Sequence, residues 1–503
     1  MTHVWLAILG ANYLLALVTV VLVLHRRKEP TAMLAWIFAV LTLPVLGMLV
    51  YWTLGSGRLR RKVRRRRRRA GHLLSQFKRW TEERTLPGGA GPSPGPYEPG
   101  GGPPGAQGDA AAGDQALPPD LAGIEQLGRR MAGMPATGGN EVTILQEANA
   151  TYAALEESLR AARRYIHMEY YIWRPDETGT AFRDLLVERA RAGVQCRLLL
   201  DAVGCWRLTR EFIRPLLEAG ARVVFFMPLY HFPLGKRWSL HLRNHRKIAV
   251  IDGHTALTGS QNIGDEYRGR LRRLSPWYDT HMRLRGPAAH FLQQTFAEDW
   301  YFATRERLDD DSYFPQPGPA GRSIVQVLPT GPDQSLSVLA QIVIAAVSAA
   351  RTSIRITTPY FVPDEALRMA LVYACCRGVQ VRLVLPTRSD SRLALWAARS
   401  FYAELSEAGV EIHEYDGGVL HSKLVTVDDR WAMLGSANMD VRSFKLNFEI
   451  TALIYDQQVT TELARSIDAF CSRARRMTPR AVHRRGAYRQ IGEGAARLFA
   501  PLL

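Results

Sequence analysis

The chain has 503 residues, of which 47% are hydrophobic and 22% are charged. This length allows two or three domains with sizeable cores, and this composition excludes a wholly disordered protein. The net charge of +18 indicates an anionic partner, either nucleic acid or an anionic membrane surface.

Two apolar runs near the N-terminus predict a transmembrane hairpin within residues 1–57, with helices at about 4–24 and 32–54. Each run approaches the roughly 20 residues that span a bilayer. A signal peptide is the alternative for the first run, but no basic segment precedes it and no A-x-A site follows it. A buried core helix is the alternative for either run.

A polybasic segment and a linker are predicted for residues 58–119. Ten of the twelve residues from Arg58 to Arg69 are basic, and residues 86–119 are rich in Gly, Pro and Ala. The positive-inside rule places this cluster and the chain after it in the cytoplasm, although three basic residues between the two apolar runs oppose that orientation. A nucleic-acid tail is the alternative, but the position next to a predicted spanning helix favours anionic lipid.

After the linker, short β-rich runs alternate with helical stretches, which predicts α/β units around a mainly parallel sheet. Three segments recur in the same order at spacings of roughly 185 to 190 residues, which is typical of a domain duplication. The first copies begin at Tyr165, Gly193 and Gly220, and the second copies begin at Ile354, Gly378 and Gly409. The sequence therefore predicts two similar domains, at 120–320 and 321–503.

Each predicted domain carries the pattern H-x-K-x-x-x-x-D followed by G-S-x-N. The first copy contains His245, Lys247, Asp252, Ser260 and Asn262, and the second contains His421, Lys423, Asp428, Ser436 and Asn438. If the motif lies on a strand, His and Lys project from the same side, and the G-S-x-N turn adds neutral donors. Such a group suits a phosphoryl substrate, and two histidines supply the nucleophile and the general acid of a double displacement. Only seven of the 65 basic residues are lysine, yet both motifs have Lys, which indicates that the choice of an ammonium group over a guanidinium is chemical.

With these motifs the chain resembles the phospholipase D superfamily and, within it, the bacterial cardiolipin synthases. The narrower resemblance rests on flanking segments: Ile356–Asp364, Trp277–His281, Asn262–Tyr267, Asn447–Glu449, Glu29–Thr31, Leu43–Gly47 and Pro501–Leu503. It covers nearly the whole chain except the linker and the arginine run. The implied fold is two phospholipase D-type α/β/α sandwich domains with a pseudo-twofold site between them.

The resemblance implies transfer of a phosphatidyl group from one phosphatidylglycerol to another, which forms cardiolipin and glycerol. It assigns His245 as the nucleophile and His421 as the general acid and base, although the pseudo-twofold symmetry allows the reverse. Lys247, Lys423, Asn262 and Asn438 would offset the developing negative charge, so no metal or other cofactor is expected.

Further side chains are expected near the two histidines. Glu266 and Glu449 would orient the histidine rings, and Ser260 and Ser436 would donate to the phosphate. Asp252 and Asp428 belong to the motifs, either in the chemistry or as structural braces. Glu169 and Tyr360 would line the site, and Trp206, Trp238 and Trp277 would pack in the core or contact acyl chains.

The expected location is the bacterial inner membrane, with the catalytic body in the cytoplasm and anionic lipids as partners. A phospholipase D that uses water as acceptor is the nearest alternative. A nuclease of the same superfamily, a basic nucleic-acid-binding module and an inactive scaffold are the others; the predicted membrane hairpin argues against a nucleic-acid partner. The arginine-rich stretch from Arg473 to Arg485, with the amphipathic segment after it, is either a surface for anionic lipid or an ordinary solvated face.

Overall fold

A computed structural model describes residues 2–25, 30–51, 117–228, 242–272, 275–316, 318–334 and 337–500. These residues form an N-terminal helical unit and a larger body that begins at residue 117. The polybasic run, nearly all of the predicted linker, Trp238 and the last three residues lie outside the described part of the chain.

The N-terminal unit contains α1 (Thr2–His25), α2 (Pro30–Thr42) and α3 (Pro44–Val50). The run predicted as one helix at 32–54 is interrupted at Leu43. Pro44 lacks an N–H for the helical ladder and disfavours helical backbone in the residue before it. In the part of the chain that the structure describes, no helix combines the length and apolar character needed to cross a membrane. This finding differs from the prediction of two spanning helices.

The body contains a fifteen-stranded sheet flanked by helices. Its strands and two short strand pairs are β1 (Thr137–Gln146), β2 (Tyr165–Tyr170), β3 (Gln195–Asp201), β4 (Arg222–Phe226), β5 (Ile248–Ile251), β6 (Thr255–Gly259), β7 (Trp277–Tyr278), β8 (Thr280–Arg285), β9 (Ser323–Thr330), β10 (Ser353–Thr357), β11 (Phe361–Val362), β12 (Gln380–Pro386), β13 (Glu411–Tyr415), β14 (Val419–Leu420), β15 (Leu424–Val427), β16 (Trp431–Gly435), β17 (Met439–Asp440), β18 (Glu449–Ile454) and β19 (Arg475–Met477).

The helices of the body cover the faces and edges of this sheet. They are α4 (Pro119–Ala132), α5 (Glu147–Ala161), α6 (Glu177–Arg191), α7 (Arg210–Glu218), α8 (Ala288–Thr304), α9 (Val338–Ala349), α10 (Glu365–Cys376), α11 (Arg392–Arg399), α12 (Tyr402–Glu407), α13 (Val441–Lys445), α14 (Gln457–Ser472), α15 (Pro479–His483) and α16 (Ala487–Arg497), with a short 3₁₀ turn at Asp311–Tyr313.

The strand order shows the duplication directly. From the centre outwards the first half runs β1-β8-β6-β5-β2-β3-β4, and the second runs β9-β18-β16-β15-β10-β12-β13, so equivalent strands occupy equivalent places. The halves meet where β1 pairs antiparallel with β9. A shared apolar core reinforces this junction, with Met282 and Phe291 from the first half and Leu434 and Leu463 from the second. The body is therefore an α/β fold built from two similar halves.

The sheet is mixed, which corrects the prediction of a mainly parallel sheet. Parallel pairing is confined to β2-β3-β4 and β10-β12-β13, and the other neighbouring strands of the large sheet pair antiparallel. The reason is local. β5 and β6 are separated by three residues, and so are β15 and β16, which is enough for a hairpin and far too short for a parallel crossover.

Candidate active site

The two H-x-K motifs lie in extended segments that end immediately before β5 and β15, not on the strands themselves as predicted. Each segment is held by the opposite half. The N–H of His245 donates to the carbonyl of Phe448 at 2.9 Å, and the N–H of His421 donates to the carbonyl of Tyr278 at 2.8 Å. Parallel pairing of β14 with β7, and of Asn244 with Phe448, extends these contacts. The backbone thus crosses between the halves at both motifs.

Each histidine is also paired with a carboxylate from the opposite half. Nδ1 of His245 lies 2.9 Å from Oε2 of Glu449, and Nδ1 of His421 lies 2.9 Å from Oδ1 of Asp279. A carboxylate at Nδ1 favours the tautomer that carries its proton there and fixes the ring orientation. Nε2 of each ring is then the atom that can attack phosphorus or exchange a proton.

Asp279 is the functional residue that sequence reasoning missed, and Glu266 does not take the position expected for it. Glu266 accepts a hydrogen bond from Nε of Arg174 at 3.1 Å. The register of the paired strands explains why Asp279, and not Glu266, is the counterpart of Glu449. His281 pairs with Gly259 across β8 and β6, as Thr451 pairs with Gly435 across β18 and β16. Two residues before these partners stand Asp279 and Glu449. The available signal was an aromatic residue followed by an acid, Tyr278-Asp279 and Phe448-Glu449.

The G-S-x-N serines support the carboxylates, whereas they were predicted to contact phosphate. Ser260 Oγ donates to Oδ1 of Asp279, and Ser436 Oγ donates to Oε2 of Glu449 at 2.5 Å. Each Oγ also accepts a backbone N–H, from Thr280 in the first half and from Ile450 in the second. The serines are therefore positioned to hold the carboxylates in place.

Both motif lysines are buried beside their histidines. Nζ of Lys247 donates to the carbonyl of His245 at 2.7 Å, and Nζ of Lys423 lies 2.8 Å from the carbonyl and 3.1 Å from Nε2 of His421. In the first motif both side chains contact the ring of Tyr171, at 4.8 Å for His245 and 5.4 Å for Lys247. Burial lowers the pKa of Lys247 well below its ordinary value and that of Lys423 to about 8. An anionic ligand would offset this desolvation.

The motif asparagines are buried near the same segments. Oδ1 of Asn262 accepts the N–H of Ile172 at 3.1 Å, which leaves the side-chain NH₂ as its donor group. The backbone N–H of Asn438 donates to Ser443 Oγ, while Oδ1 of Asn438 has no hydrogen-bond partner among the described residues. A buried polar atom without a protein partner is typical of a site that a ligand or water completes.

The motif aspartates lie at the far ends of β5 and β15 from the histidines. The carboxylate of Asp252 accepts the backbone N–H groups of Arg163, Arg164 and Tyr165, each at 2.8 Å. Asp428 accepts those of the equivalent turn at 351–353, at 2.7 to 2.9 Å. Both aspartates have positive φ, 51° and 53°. Of the two roles considered for them, the structure places them as braces of the turns before β2 and β10.

A buried polar network lies next to the first motif. Asn244 donates to Glu169, and Arg246 pairs with Asp299. Burial raises the pKa of Glu169 well above its ordinary value, and the nearby charge of Asp299 raises it further. Arg246 also donates to the carbonyl of Glu449 at 3.0 Å, so the network supports the first-motif histidine and its partner.

Tyr360 and two of the predicted tryptophans have different surroundings in the structure. The hydroxyl of Tyr360 donates to Asp390 at 2.5 Å. Trp277 packs on the ring of His421 at 5.0 Å, and its Nε1 donates to Asp279 Oδ2 at 2.8 Å. Trp206 is exposed. Trp277 is thus a neighbour of the second histidine.

Electrostatics assign a charge state to each histidine–carboxylate pair. Burial lowers the pKa of His245 to about 4 and also lowers that of His421. Burial would raise the pKa of Glu449 and Asp279, but the histidine facing each carboxylate holds it below its ordinary value. Near neutral pH the ligand-free site therefore contains two neutral imidazoles and two ionised carboxylates. Within the described ranges no group of three or more His, Cys, Asp or Glu side chains is placed to hold a metal ion.

Two family models match parts of the chain. The cardiolipin synthase, phospholipase D-like domain model matches residues 155–300 and 343–471, and a phospholipase D-nuclease N-terminal model matches 13–56. The two matches to the first model contain both H-x-K motifs, together with Asp279 and Glu449.

Curated relatives match over most of the chain. A cardiolipin synthase of Geobacillus kaustophilus is 36% identical over 97% of this chain and 91% of its own length. Cardiolipin synthase 2 of Bacillus anthracis is 38% identical over 75% of this chain and 74% of its own. The major cardiolipin synthase ClsA of Bacillus subtilis is 37% identical over 73% and 76%.

Among solved structures, phosphatidylserine synthase of Haemophilus influenzae matches with a TM-score of 0.56 and 15% sequence identity. The match covers 76% of this chain and all of that one, and it shows similarity of fold alone. The sequence relatives and the domain model show that the chain belongs to the cardiolipin synthase family of phospholipase D-like proteins.

Proposed function

We propose that this protein transfers a phosphatidyl group from one phosphatidylglycerol to the terminal hydroxyl of a second, forming cardiolipin and glycerol. The observation that supports the proposal most strongly is the reciprocal pairing of His245 with Glu449 and of His421 with Asp279. Two oriented imidazoles are what a double displacement at phosphorus requires. The matched relatives carry the name of the same activity.

In the first step Nε2 of His245 attacks the phosphorus of phosphatidylglycerol. The bond from phosphorus to the glycerol oxygen breaks, and His421 supplies the proton that this oxygen takes up. His421 is neutral in the ligand-free site, and the charge of the bound phosphodiester favours its protonated form. The products of the step are glycerol and a phosphatidyl group on His245.

In the second step His421 removes the proton from a terminal hydroxyl of the second phosphatidylglycerol. The resulting oxygen attacks phosphorus, the bond to His245 breaks, and cardiolipin forms. Lys247, Lys423 and the side-chain amides of Asn262 and Asn438 face the charge that develops on the phosphoryl oxygens. The step restores both histidines, so the reaction proceeds without another reactant.

Residues 120–320 and 321–503 are assigned as the two repeats. Each repeat contributes one histidine, and it also contributes the carboxylate that orients the histidine of the other repeat. We propose that the apolar N-terminal unit and the basic run at 58–69 attach the protein to the bacterial inner membrane, with the body on the cytoplasmic side. Protease treatment of intact spheroplasts tests the orientation, because a cytoplasmic body would remain undigested until lysis.

Mass spectrometry of the products from vesicles of phosphatidylglycerol tests the reaction. Cardiolipin and free glycerol in equal amounts are expected. Phosphatidic acid without cardiolipin would identify a hydrolase and overturn the proposal. A second sample with phosphatidylethanolamine added would show whether another alcohol serves as acceptor.

A further inference from the structure

Helix α16 has an apolar face that no other described part of the body covers. Tyr488 and Ile491 on the helix and Leu498, its C-cap residue, are 93%, 69% and 80% exposed, and their spacing of three and seven residues puts them on one side. Phe499, half exposed, follows Leu498 after the helix ends. The opposite side is anchored, because Ala496 lies in the core of the second half.

A neighbouring helix adds to this apolar surface. Helix α11 packs against α16, and a Cβ built on Gly492 would lie 2.9 Å from the Trp396 ring. Trp396 is nevertheless 42% exposed, and Leu393 on the same helix is 41% exposed. Together Leu393, Trp396, Tyr488, Ile491, Leu498 and Phe499 form what we term the α16 surface.

A basic cavity of about 360 Å³ opens at the start of α16. Five arginines line it, with two carboxylates, Glu414 and Glu493, among them; the arginines are Arg399, Arg475, Arg484, Arg485 and Arg489. Three of the five are paired with these carboxylates at 2.8 to 3.0 Å. Arg484 and Arg489 are exposed and form no ion pair with any described residue.

The segment that contains α16 is strongly basic. Residues 473–500 contain eight arginines and a single acidic residue, Glu493. Glu493 is buried and pairs with Arg485 at 3.0 Å, so the positive charge that it offsets is that of Arg485. An apolar face flanked by arginines is the pattern of a helix that lies in a membrane interface rather than across it.

We propose that the α16 surface docks the body on an anionic phospholipid bilayer, with the apolar side chains below the headgroups and a headgroup phosphate in the arginine cavity. Tyr and Trp suit headgroup depth, and Ile, Leu and Phe suit the acyl boundary. Duplex nucleic acid would satisfy the arginines but would leave these apolar side chains exposed to water. The inference goes beyond the proposed reaction and rests on it only for the choice of phosphatidylglycerol as the lipid.

Hydrogen exchange of the full-length protein in lipid nanodiscs tests the docking. We expect residues 487–500 to exchange more slowly in nanodiscs of phosphatidylglycerol and phosphatidylcholine than in nanodiscs of phosphatidylcholine alone, and high salt to reduce the difference. Equal exchange in both lipids would overturn the proposal. So would the same protection in phosphatidylcholine nanodiscs given inorganic phosphate or duplex DNA, since the cavity would then serve a soluble anion or nucleic acid.

Paired variants separate docking from folding and from chemistry. Ile491→Glu should abolish the lipid-dependent protection, whereas Leu217→Glu, at an exposed apolar position on α7, should retain it. Arg484→Glu with Arg489→Glu should also abolish it, and Arg322→Glu, a change of charge at another exposed arginine, should not. Retained protection in the Ile491 and double arginine variants would refute the proposal. Cardiolipin formation from detergent-dispersed substrate should be unchanged in all of them, so failure of docking and failure of the proposed reaction give different results.

Discussion

Oε2 of Glu449 lies 2.9 Å from Nδ1 of His245, although 204 positions separate the two residues in the chain. The second histidine repeats the relationship, since Asp279 from the first half holds His421. Each half therefore contains a histidine that it cannot orient by itself. Activity depends on the junction between the halves as well as on the motifs.

His245→Ala and His421→Ala should each abolish cardiolipin synthesis while the thermal unfolding temperature stays near that of the wild type. A substrate that releases p-nitrophenol should distinguish the nucleophile from the general acid, because this leaving group needs little protonation. His421→Ala should release p-nitrophenol with a residual rate and accumulate a phosphatidyl-enzyme, which mass spectrometry of intact protein would detect. If His245→Ala showed these properties instead, the assignment of the two histidines would be reversed.

Glu449→Gln and Asp279→Asn should each reduce kcat by about 10²- to 10⁴-fold, the range expected when an acid–base group loses its support. Glu266→Gln is the matched control, because Glu266 pairs with Arg174 and hydrogen-bonds neither histidine. Comparable losses for Glu266→Gln and Asp279→Asn would contradict the assignment of Asp279.

The dependence of kcat/KM on pH distinguishes an electrostatic role of Glu449 from a purely structural one. Burial lowers the pKa of His245 to about 4, and the charge of Glu449 opposes that shift. The acid limb of kcat/KM should therefore lie near pH 4 and move to lower pH in Glu449→Gln, where the opposing charge is gone. An acid limb that did not move would disprove this coupling.

Lys247→Arg and Lys423→Arg should reduce kcat strongly despite the retained charge. Both ammonium groups are fully or almost fully buried, and each donates to the carbonyl of the histidine two residues before it. A planar guanidinium is larger and cannot occupy that place with the same geometry. Steady-state kinetics should show the loss mainly in kcat, and wild-type kcat in either variant would rule out the requirement.

Asp428→Ala should destabilise the protein by about 1–3 kcal/mol, because three backbone N–H groups lose their acceptor. Burial would raise the pKa of Asp428, but these N–H groups hold it below its ordinary value. The stabilisation is therefore present above the unfolded-state pKa near 4 and is lost as pH falls through the lower folded-state pKa. Urea unfolding at pH 7 and pH 3 should show a smaller difference between variant and wild type at pH 3. An equal difference at both pH values would exclude the carboxylate as the cause.

The duplication and the two motifs could be read from the sequence because they depend on repetition along the chain. The segments beginning at Tyr165 and Ile354 coincide with the equivalent strands β2 and β10 to within one residue at their starts. The partner of His421 could not be read in the same way. Asp279 reaches that ring through parallel pairing of β7 with β14, a contact between halves that periodicity does not encode. Glu266 stands close to its motif in sequence and was the natural but wrong choice.

The serines illustrate a second limit on what the sequence could predict about the site. G-S-x-N places a hydroxyl near the histidine, but the sequence does not say which acceptor that hydroxyl meets. In the fold the nearest acceptor is a carboxylate delivered by β18 or by the residue before β8, so Ser436 and Ser260 donate to it. The break in the helix predicted at 32–54 was also missed, although Pro44 disfavours helical backbone in the residue before it.

In each histidine–carboxylate pair the two side chains come from different halves, and this arrangement suggests how such a chain could arise. A protein containing one half would assemble neither histidine pair by itself, but a symmetric homodimer would assemble both at once and make them identical. Joining the two copies in one polypeptide removes that constraint. The chain then carries Glu449 at one pair and Asp279 at the other, and Arg246 in one motif where the other has Ser422. Covalent linkage thus permits two chemically distinct histidines, one for each role in a two-step transfer.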